Sequence, residues 1–291
     1  MSYKVKIIAD SLAPNGARLT TFQARYPRSV VHDELGTHRS FSRSSGSTRA
    51  VPLAKQIRAI RDDPAMPIWW GAARPGMHPR DEVDEDARDN AKWLLAALAY
   101  DVGVTVKALD KLGVHKQTAG RYLEAFGHIS TVITSCEPGL LNFFALRCHP
   151  DAQPEMQALA VPMARAYRAG SPARLDHGDW HLPYIDPAEL AGIGLEAARD
   201  VSAARVARVS YLRHDGEPSP TADDLRLAKD LHEASHFGPF EHQATPAIGA
   251  DHRSGNLLGW YQHRQMLGKN VHEAFDFSIL DTAYADRDFA V

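Results

Sequence analysis

The stretch from Glu34 to Arg49 reads ELGTHRSFSRSSGSTR and is the most unusual part of the chain. It contains three arginines, one histidine and five serines. Hydroxyl groups, guanidinium groups and the backbone amides freed by Gly46 are the groups that hold a phosphate or a pyrophosphate. A solvated, partly disordered segment has the same composition. A helical pattern precedes the stretch and Ala50–Leu53 follows it, which favours a loop that is held at both ends.

A second polar cluster lies in NFFALRCHPDAQPEMQ, from Asn142 to Gln157. Periodicity alone indicates a core helix whose charged end, Arg147, is solvated, as most helix arginines are. The alternative is a catalytic arginine. A fixed guanidinium group stabilises negative charge as it develops on a bound ligand during a reaction.

The bulk composition is that of an ordinary globular protein. The chain has 291 residues, of which 44% are apolar and 24% are charged, and its net charge is −3. A general binder of polymeric nucleic acid usually carries a strong basic excess, so that class is disfavoured. The two cysteines, Cys136 and Cys148, are too few for a disulfide framework and fit a reducing compartment.

Nothing in the sequence indicates a membrane. The first residues carry no apolar run behind a basic segment, so we expect no signal peptide. No run of 18 uninterrupted apolar residues occurs, so we expect no spanning helix. These observations predict a cytoplasmic protein.

Hydrophobic periodicity predicts an α/β or α+β protein with helices in excess. A hairpin is predicted around the turn Pro14-Asn15-Gly16, with Tyr3–Ala9 and Leu19–Tyr26 as its two strands. A further strand is predicted over Phe240–Thr245. A short helix over Val30–Arg39 is predicted to run into a loop over Ser40–Arg49. The further predicted helices are Leu53–Arg61 (opened by Pro52), Glu85–Leu112, Lys116–Phe126, Gly139–Arg147, Asp151–Tyr167, Glu196–Leu212, Ala222–His236 and Leu257–Leu267.

A third motif predicts a different chemistry. His232, Glu233 and His236 fit the zinc-hydrolase pattern H-E-x-x-H, in which the glutamate is the general base, and His242 follows as a possible third ligand. In the extended pattern a glycine stands where this chain has Pro239. A five-residue match is common by chance in a chain with 15 histidines. A zinc hydrolase is therefore the rival hypothesis from another reaction class.

The first two blocks together resemble a known family. The order HR-x-x-S-x-x-x-x-S-x-R between residues 38 and 49 resembles the signature of the flavin-dependent thymidylate synthases, the ThyX family. The usual signature is Arg-His-Arg-x-x-Ser-x-Asn-x-x-Ser-x-Arg, so Thr37 replaces its first arginine and Ser44 its asparagine. The block from Asn142 to Gln157 is similar to the family's Asn-Phe-x-x-Leu-Arg segment and the Ala-Gln-x-Glu that follows it.

A third block is similar to the family but stands in an unusual place. Residues 235–242 resemble a family segment, Ser-His-x-x-x-x-Phe-Glu-His, that usually precedes the His-Arg signature. Here it follows the signature by about 200 residues. The resemblance therefore implies a divergent, phage-like branch with a permuted order of motifs.

The resemblance assigns roles to individual residues. Arg147 is the implied catalytic residue. The implied nucleotide-binding residues are Glu34, Ser47, Arg49, Arg121 and Arg147. The implied flavin-binding residues are His38, Arg39, Ser42, Asn142 and His242.

The resemblance also implies the architecture and the reaction. The fold is that of the family, α/β (α+β) and helix-rich, with a central, mainly antiparallel sheet. A single catalytic domain spans residues 1–291, with irregular insertions around 64–84 and 172–187. The enzyme is a homotetramer whose active sites are shared between subunits. It uses FAD, with NADPH and methylenetetrahydrofolate as co-substrates, to transfer one carbon to C5 of a deoxypyrimidine monophosphate.

Two further points stay open at the level of sequence. Conversion of dUMP to dTMP is the expected reaction, and hydroxymethylation of dUMP or dCMP is the alternative. The chain differs from the family at Thr37 and Ser44, and Glu34 stands in place of a glutamine. We expect these three positions to determine any change in substrate or product specificity. A non-catalytic nucleotide-binding protein that has kept the binding residues is the third possibility.

Overall fold

The predicted hairpin forms the first two strands of a five-stranded sheet. In the computed structural model, residues 3–29, 31–76, 81–209, 212, 217–267, 278 and 282 are described. Strand β1 (Lys4–Leu12) pairs antiparallel with β2 (Arg18–Pro27). Gly16 at the turn has a φ of 85°, a left-handed conformation that favours glycine, and the predicted Pro14-Asn15-Gly16 turn is confirmed.

An inner strand of the sheet, β4 (His128–Cys136), is not predicted by the sequence patterns above. It lies between β2 and β3 (Ser42–Ser45) and pairs antiparallel with both. A short strand, β5 (Ala173–Arg174), runs parallel to β1 and completes the order β3-β4-β2-β1-β5. The sheet is therefore mainly antiparallel, and the predicted fold class is confirmed.

The segment predicted as a loop over Ser40–Arg49 is part of this sheet. Residues 42–45 are the edge strand β3, and a single 3-10 turn, Thr48–Ala50, follows. The loop prediction was wrong for the strand residues because the open edge of β4 offers backbone partners that composition does not reveal.

Helices cover both faces of the sheet. They are α1 (Val31–Gly36), α2 (Leu53–Asp62), α3 (Glu85–Lys111), α4 (Lys116–Ala119), α5 (Glu137–Arg147), α6 (Pro154–Ala169), α7 (Pro187–Ile193), α8 (Leu195–Arg208), α9 (Thr221–Glu233) and α10 (His263–Met266). On one face, Phe22 and Ile133 pack with Phe143 of α5 and Met163 of α6. On the other face, Val132 packs against α8. The sheet therefore packs against α5 and α6 on one face and against α8 on the other.

The predicted helix over Leu257–Leu267 was wrong for most of its length. Residues 257–262 form the short strands β8 (Leu257–Leu258) and β9 (Trp260–Gln262), and only α10 is helical. Gly259 separates the two strands with a φ of 78°. β9 pairs with β6 (Ala244–Pro246), and β8 pairs with β7 (Arg253–Ser254).

Other predicted elements also differ in their bounds. The helix predicted to Arg39 ends at Gly36, and the one predicted over Lys116–Phe126 is α4 followed by a 3-10 turn, Gly120–Phe126. The strand predicted over Phe240–Thr245 is a 3-10 turn, Gly238–Glu241, followed by β6. Val30 and part of the end of the predicted helix Glu196–Leu212 lie outside the described residues. In the described part of the chain, no helix combines the length and the apolarity that crossing a bilayer requires.

A buried ion-pair network holds α7, α8 and α9 together. Arg205 forms paired hydrogen bonds with Glu189 and donates from Nε to Asp224 at 3.0 Å. Asp224 is fully buried and also accepts a hydrogen bond from Ser219. Removing one partner of such a network leaves a buried charge without its counter-ion.

We expect Asp224→Ala to lower the free energy of unfolding by about 3 kcal/mol, because a buried arginine loses a counter-ion. The matched control is Asp223→Ala, whose side chain is about one-third exposed and pairs with Arg226 on the surface. The control should lower the free energy of unfolding by less than about 1 kcal/mol. Urea unfolding of both variants measures the difference, and equal losses would contradict a structural role for the network.

Candidate active site

Three predicted site residues, Glu34, His38 and Arg147, meet where α1 approaches the end of α5. Pro138 stands in the first turn of α5, and Arg147 is in its last turn. Helix α1 carries Glu34 and ends at Gly36. Thr37 then donates from both its backbone amide and its hydroxyl group to the carbonyl oxygen of Glu34. This turn directs the chain so that His38 follows directly beside Arg147.

Arg147 contacts the other two residues through separate nitrogens. Its Nη2 donates to Oε2 of Glu34 at 2.9 Å, and its Nε donates to Nε2 of His38 at 3.1 Å. The side chain of Arg147 is 22% exposed and that of Glu34 is 39% exposed. The guanidinium group is therefore fixed in position but still reachable from solvent.

The imidazole of His38 is held in an aromatic pocket. Its ring stacks on Phe41 and meets Phe143 edge-on, with centroid distances of 5.5 and 4.9 Å. Burial lowers the pKa of His38, and the positive charge of Arg147 lowers it further. Because Nε2 accepts the hydrogen bond from Arg147, the neutral ring carries its proton on Nδ1.

Two members of this cluster, Glu34 and Arg147, line a cleft of about 1270 Å³. Trp69, Glu155 and Gln157 also line it. Carboxylate and amide groups outnumber cations there, so the cleft suits the polar edge of a neutral ring better than it suits a phosphate.

The predicted phosphate residues form a second group. Glu124 accepts hydrogen bonds from Thr48 at 3.2 Å and from Arg121 at 3.1 Å, and it forms an ion pair with Arg28 at 3.2 Å. Thr48 lies between the two predicted residues Ser47 and Arg49, both of which are exposed. One carboxylate therefore brings Arg121 to the Ser47–Arg49 turn.

Two predicted flavin residues are instead buried against the C-terminal part of the chain. His242 is fully buried; its Nδ1 bonds with Thr134 at 2.8 Å and its Nε2 with Ser44 at 3.1 Å. Burial, and then the neighbouring His181, lower the pKa of His242 to about 3. Ser42 donates to Asn256 at 3.0 Å and is 1% exposed. In this chain both side chains are engaged by protein partners and join the C-terminal segment to the sheet.

The other two predicted flavin residues are accessible. Arg39 is exposed directly after His38, and Asn142 is exposed on α5, five residues before Arg147. Both are therefore accessible to a ligand, and neither is among the residues that line the cleft.

The zinc-hydrolase residues do not assemble. Helix α9 ends at Glu233, and Ser235 has a φ of 57°, so His236 does not continue the helical face of His232. The two ring nitrogens of His242 are bonded to Thr134 and Ser44. Among the described residues, no group of three or more His, Cys, Asp or Glu side chains could hold a metal ion. The geometry therefore does not support the rival hypothesis.

Sequence reasoning missed Glu124 and Trp69. Glu124 bonds with Thr48, 76 residues away, and nothing in its local sequence signals this contact. Trp69 belongs to the 64–84 insertion, where Gly71 and Glu82 form an antiparallel bridge. A tryptophan in a Pro- and Gly-rich insertion is a weak signal of an ordered binding segment.

Comparison with known proteins gives the family. Two crystal structures of the UMP/dUMP methylase PolB from Streptomyces cacaoi, one with 5-Br UMP and one with 5-Br dUMP, are similar to the chain at 16% identity. They match 57% of this chain and 89% and 90% of theirs, with TM-scores of 0.47 and 0.48. No curated protein matches the chain.

The sequence model of the "Thymidylate synthase complementing protein" family matches residues 18–173, which is more than half of the chain. The match includes the 34–49 stretch and Arg147. Residues 235–242 lie outside it, so the permuted motif order stays a prediction. The chain belongs to this family, the flavin-dependent thymidylate synthases, and is an enzyme of the methyltransferase type.

Proposed function

We propose that the chain transfers a one-carbon unit from methylenetetrahydrofolate to C5 of a deoxypyrimidine monophosphate, with dUMP to dTMP as the expected reaction. The contact of Arg147 with both His38 and Glu34 is the observation that carries the proposal. These partners lie 109 and 113 residues away in the sequence, in separate blocks of the family resemblance. Their convergence at an open cleft is what a site for the pyrimidine ring requires.

In this proposal Arg147 polarises the ring. Two of its nitrogens are occupied by Glu34 and His38, which leaves Nη1 to donate to a ring oxygen. A fixed donor of this kind stabilises the negative charge that develops as C5 becomes nucleophilic. Neutral His38 orients the guanidinium group without adding a competing positive charge.

Ser47, Arg49 and Arg121 hold the phosphate of the nucleotide in this proposal. Ser47 lines a different cavity from the Glu34–Arg147 cleft, and the two cavities share no lining residue. In this proposal the phosphate-binding residues of one protomer therefore lie beside the cleft of another. This supports a homotetramer with shared active sites.

An exposed apolar stripe on α3 supports self-association. Trp93, Tyr100 and Val104 share one face of the helix, at spacings of seven and four residues. They are 68%, 64% and 52% exposed. Large apolar residues grouped on one exposed face mark an interaction surface, and a second copy of the chain is the partner that shared sites require.

We expect the double change Trp93→Glu and Tyr100→Glu to convert the oligomer into smaller species, because two charges would be buried in each contact. The fold should persist, since neither side chain is in the core. Light scattering coupled to size exclusion measures the mass. The control is the charge change Lys92→Glu next to the stripe, which should leave the mass unchanged.

The residues near the cleft fit a flavin. Its volume of about 1270 Å³ exceeds that of most ligand pockets, and Trp69 offers an aromatic wall. Arg39 and Asn142 are exposed polar groups that would hold FAD, together with His38, which contacts the cleft residue Arg147. When bound, FAD supplies the redox chemistry and the carrier for the carbon, with NADPH as the reductant.

The direct test is incubation of the pure protein with FAD, NADPH, methylenetetrahydrofolate and either dUMP or dCMP. We expect a product from dUMP whose mass identifies a methyl group. A product with the mass of a hydroxymethyl group identifies the alternative reaction. Bound flavin without any product from either nucleotide would contradict the proposal and favour a non-catalytic nucleotide-binding protein.

A further inference from the structure

Strand β3, which leads into the Ser47–Arg49 turn, is a short edge strand. It has four residues, and among the described strands it lies at the end of the sheet and pairs with β4 only. An edge strand presents a row of unpaired backbone groups, so a strand of this length gains little from its ladder of hydrogen bonds. The contacts of its side chains are therefore important for its position.

A C-terminal segment, residues 242–262, holds two serines of β3. Successive side chains of a strand point to opposite faces, so Ser42 and Ser44 share one face. Ser44 bonds with Nε2 of His242 at 3.1 Å. Ser42 donates to Asn256 at 3.0 Å, and the amide nitrogen of Asn256 donates to the backbone two residues before the strand, also at 3.0 Å. We call residues 242–262 the C-terminal clamp.

The C-terminal clamp is attached to other parts of the protein besides β3. Asn15, in the turn between β1 and β2, donates to the carbonyl oxygens of Ala247 and Gly259 at 2.7 and 2.9 Å. At the end of β4, the sulfur of Cys136 accepts a hydrogen bond from the backbone amide of Leu258 at 3.2 Å. Within the clamp, β6 pairs with β9. The clamp is therefore a fixed frame against which β3 is held.

His242 belongs to a buried chain of hydrogen bonds that crosses the sheet. Its Nδ1 bonds with Thr134 at 2.8 Å, Thr134 bonds with Thr21 at 2.6 Å, and Thr21 bonds with Nε2 of His181 at 2.7 Å. Nδ1 of His181 bonds with Ser11 at 2.9 Å. Burial lowers the pKa of both histidines to about 3, so both rings are neutral near pH 7. Since a neutral ring has one donor and one acceptor nitrogen, two neighbours fix each ring.

The Ser47–Arg49 turn is held at both of its ends. At the far end, Gln56 of α2 donates to the carbonyl oxygen of Thr48 at 2.8 Å. At the near end the turn follows β3, and the amide of Gly46 still bonds with the backbone of β4 at 2.9 Å. A shift of β3 therefore moves Ser47 relative to the rest of the turn.

We infer that His242 and Asn256 are positioning residues for the nucleotide site, because they set the place of Ser47 through β3. The inference rests on the proposed function in taking Ser47 and Arg49 as phosphate-binding residues. Both positioning residues lie outside residues 18–173, the part of the chain that matches the family model. The C-terminal part of this chain therefore supports a binding segment that lies within the family region.

Hydrogen exchange of the full-length protein, followed by mass spectrometry, tests the C-terminal clamp without any ligand. Ser44→Ala and Asn256→Ala should speed the exchange of the protected amides of residues 42–49 at least about tenfold, because β3 then opens without breaking a clamp contact. The amides of β1 should exchange as in the parent protein. The matched control is Ser11→Ala, which removes the hydroxyl group at the far end of the same hydrogen-bond chain. It should leave the exchange of residues 42–49 unchanged.

Steady-state kinetics with dUMP test the positioning role. Ser44→Ala and Asn256→Ala should raise the KM for dUMP about tenfold and change kcat less than about twofold. Arg147 and its partners stay in place, while the contact with the phosphate is weakened. Faster exchange at residues 42–49 with the parent KM would overturn the positioning role. The control His252→Asn removes an imidazole of the clamp whose ring contacts Tyr261, and it should keep the parent KM.

Two amide replacements of His242 separate positioning from stability. A glutamine places its terminal amide near the position of Nε2 and reaches Ser44, whereas an asparagine ends near the position of Nδ1 and reaches Thr134. Both should lower the midpoint of thermal unfolding, since each leaves a buried polar group without one partner. His242→Asn should raise the KM and His242→Gln should not, whereas a purely structural role predicts an equal rise in both. If neither variant folds, Ser44→Ala and Asn256→Ala decide, because both residues are only partly buried.

The inference and the proposed function fail separately. If dUMP is turned over and Ser44→Ala and Asn256→Ala change neither the exchange of residues 42–49 nor the KM, the positioning role is wrong and the reaction stands. If neither dUMP nor dCMP gives a product, but both variants speed the exchange and weaken the binding of dUMP in calorimetric titration, the reaction is wrong and the positioning role stands.

Discussion

Arg147→Ala is expected to lower kcat about 100- to 1000-fold, the usual cost of removing a fixed donor from a developing charge. It should leave bound flavin nearly unchanged, because the exposed polar groups assigned to the flavin, Arg39 and Asn142, remain. Stopped-flow or steady-state turnover of dUMP, with flavin absorbance measured on the same sample, separates the two effects.

Two comparisons sharpen this prediction. Arg165→Ala removes an exposed arginine from α6 and should leave kcat and flavin content unchanged. Arg147→Lys keeps the charge but loses the fork that reaches Glu34 and His38 together, so it should recover only part of the rate. If Arg147→Ala lost bound flavin but kept the parent turnover number per molecule of flavin still bound, the role assigned to Arg147 would be wrong.

Mixing two inactive variants is expected to restore activity. Arg147→Ala damages the cleft, and Arg49→Ala damages the set of phosphate-binding residues. If each active site takes its cleft from one subunit and its phosphate-binding residues from another, some sites of a mixed oligomer contain both parts intact. Random assembly of equal amounts should return about a quarter of the parent activity. Turnover at low dUMP concentration, after co-expression, measures the recovery.

The control mixture pairs Arg147→Ala with Glu34→Ala. Both residues belong to the same cluster and contact each other at 2.9 Å, so no site in that mixture has an intact cleft. We expect no recovery from it. Activity in neither mixture would mean that one subunit supplies both groups, and the shared-site proposal would be wrong.

Much of the local structure could be predicted from the sequence. The hairpin around Pro14-Asn15-Gly16 and the long helix α3 follow from turn residues and from apolar periodicity. These signals depend on neighbours a few residues apart. β4 was missed even though HISTVITSC is rich in β-branched residues, because it is buried on both faces and has no alternating pattern. The helix predicted over Leu257–Leu267 failed for the same kind of reason, since an apolar run does not separate strand from helix.

For the candidate site too, the sequence identified some features and only the folded structure showed others. The motifs identified Glu34, His38 and Arg147 as residues to examine, because their types and spacing match a family pattern. Their mutual contacts, and the link from Arg121 to the Ser47 turn through Glu124, depend on the packing of distant segments.

The sequence by itself determined the residue chemistry, the family and most helices, because these depend on side-chain types and on short-range periodicity. Only the tertiary structure decided that His242 is a buried partner of Thr134 and Ser44, and that the Glu34–Arg147 cleft and the cavity beside Ser47 share no lining residue. Burial and hydrogen bonding join residues more than 100 positions apart, and a linear pattern carries no information about such distances.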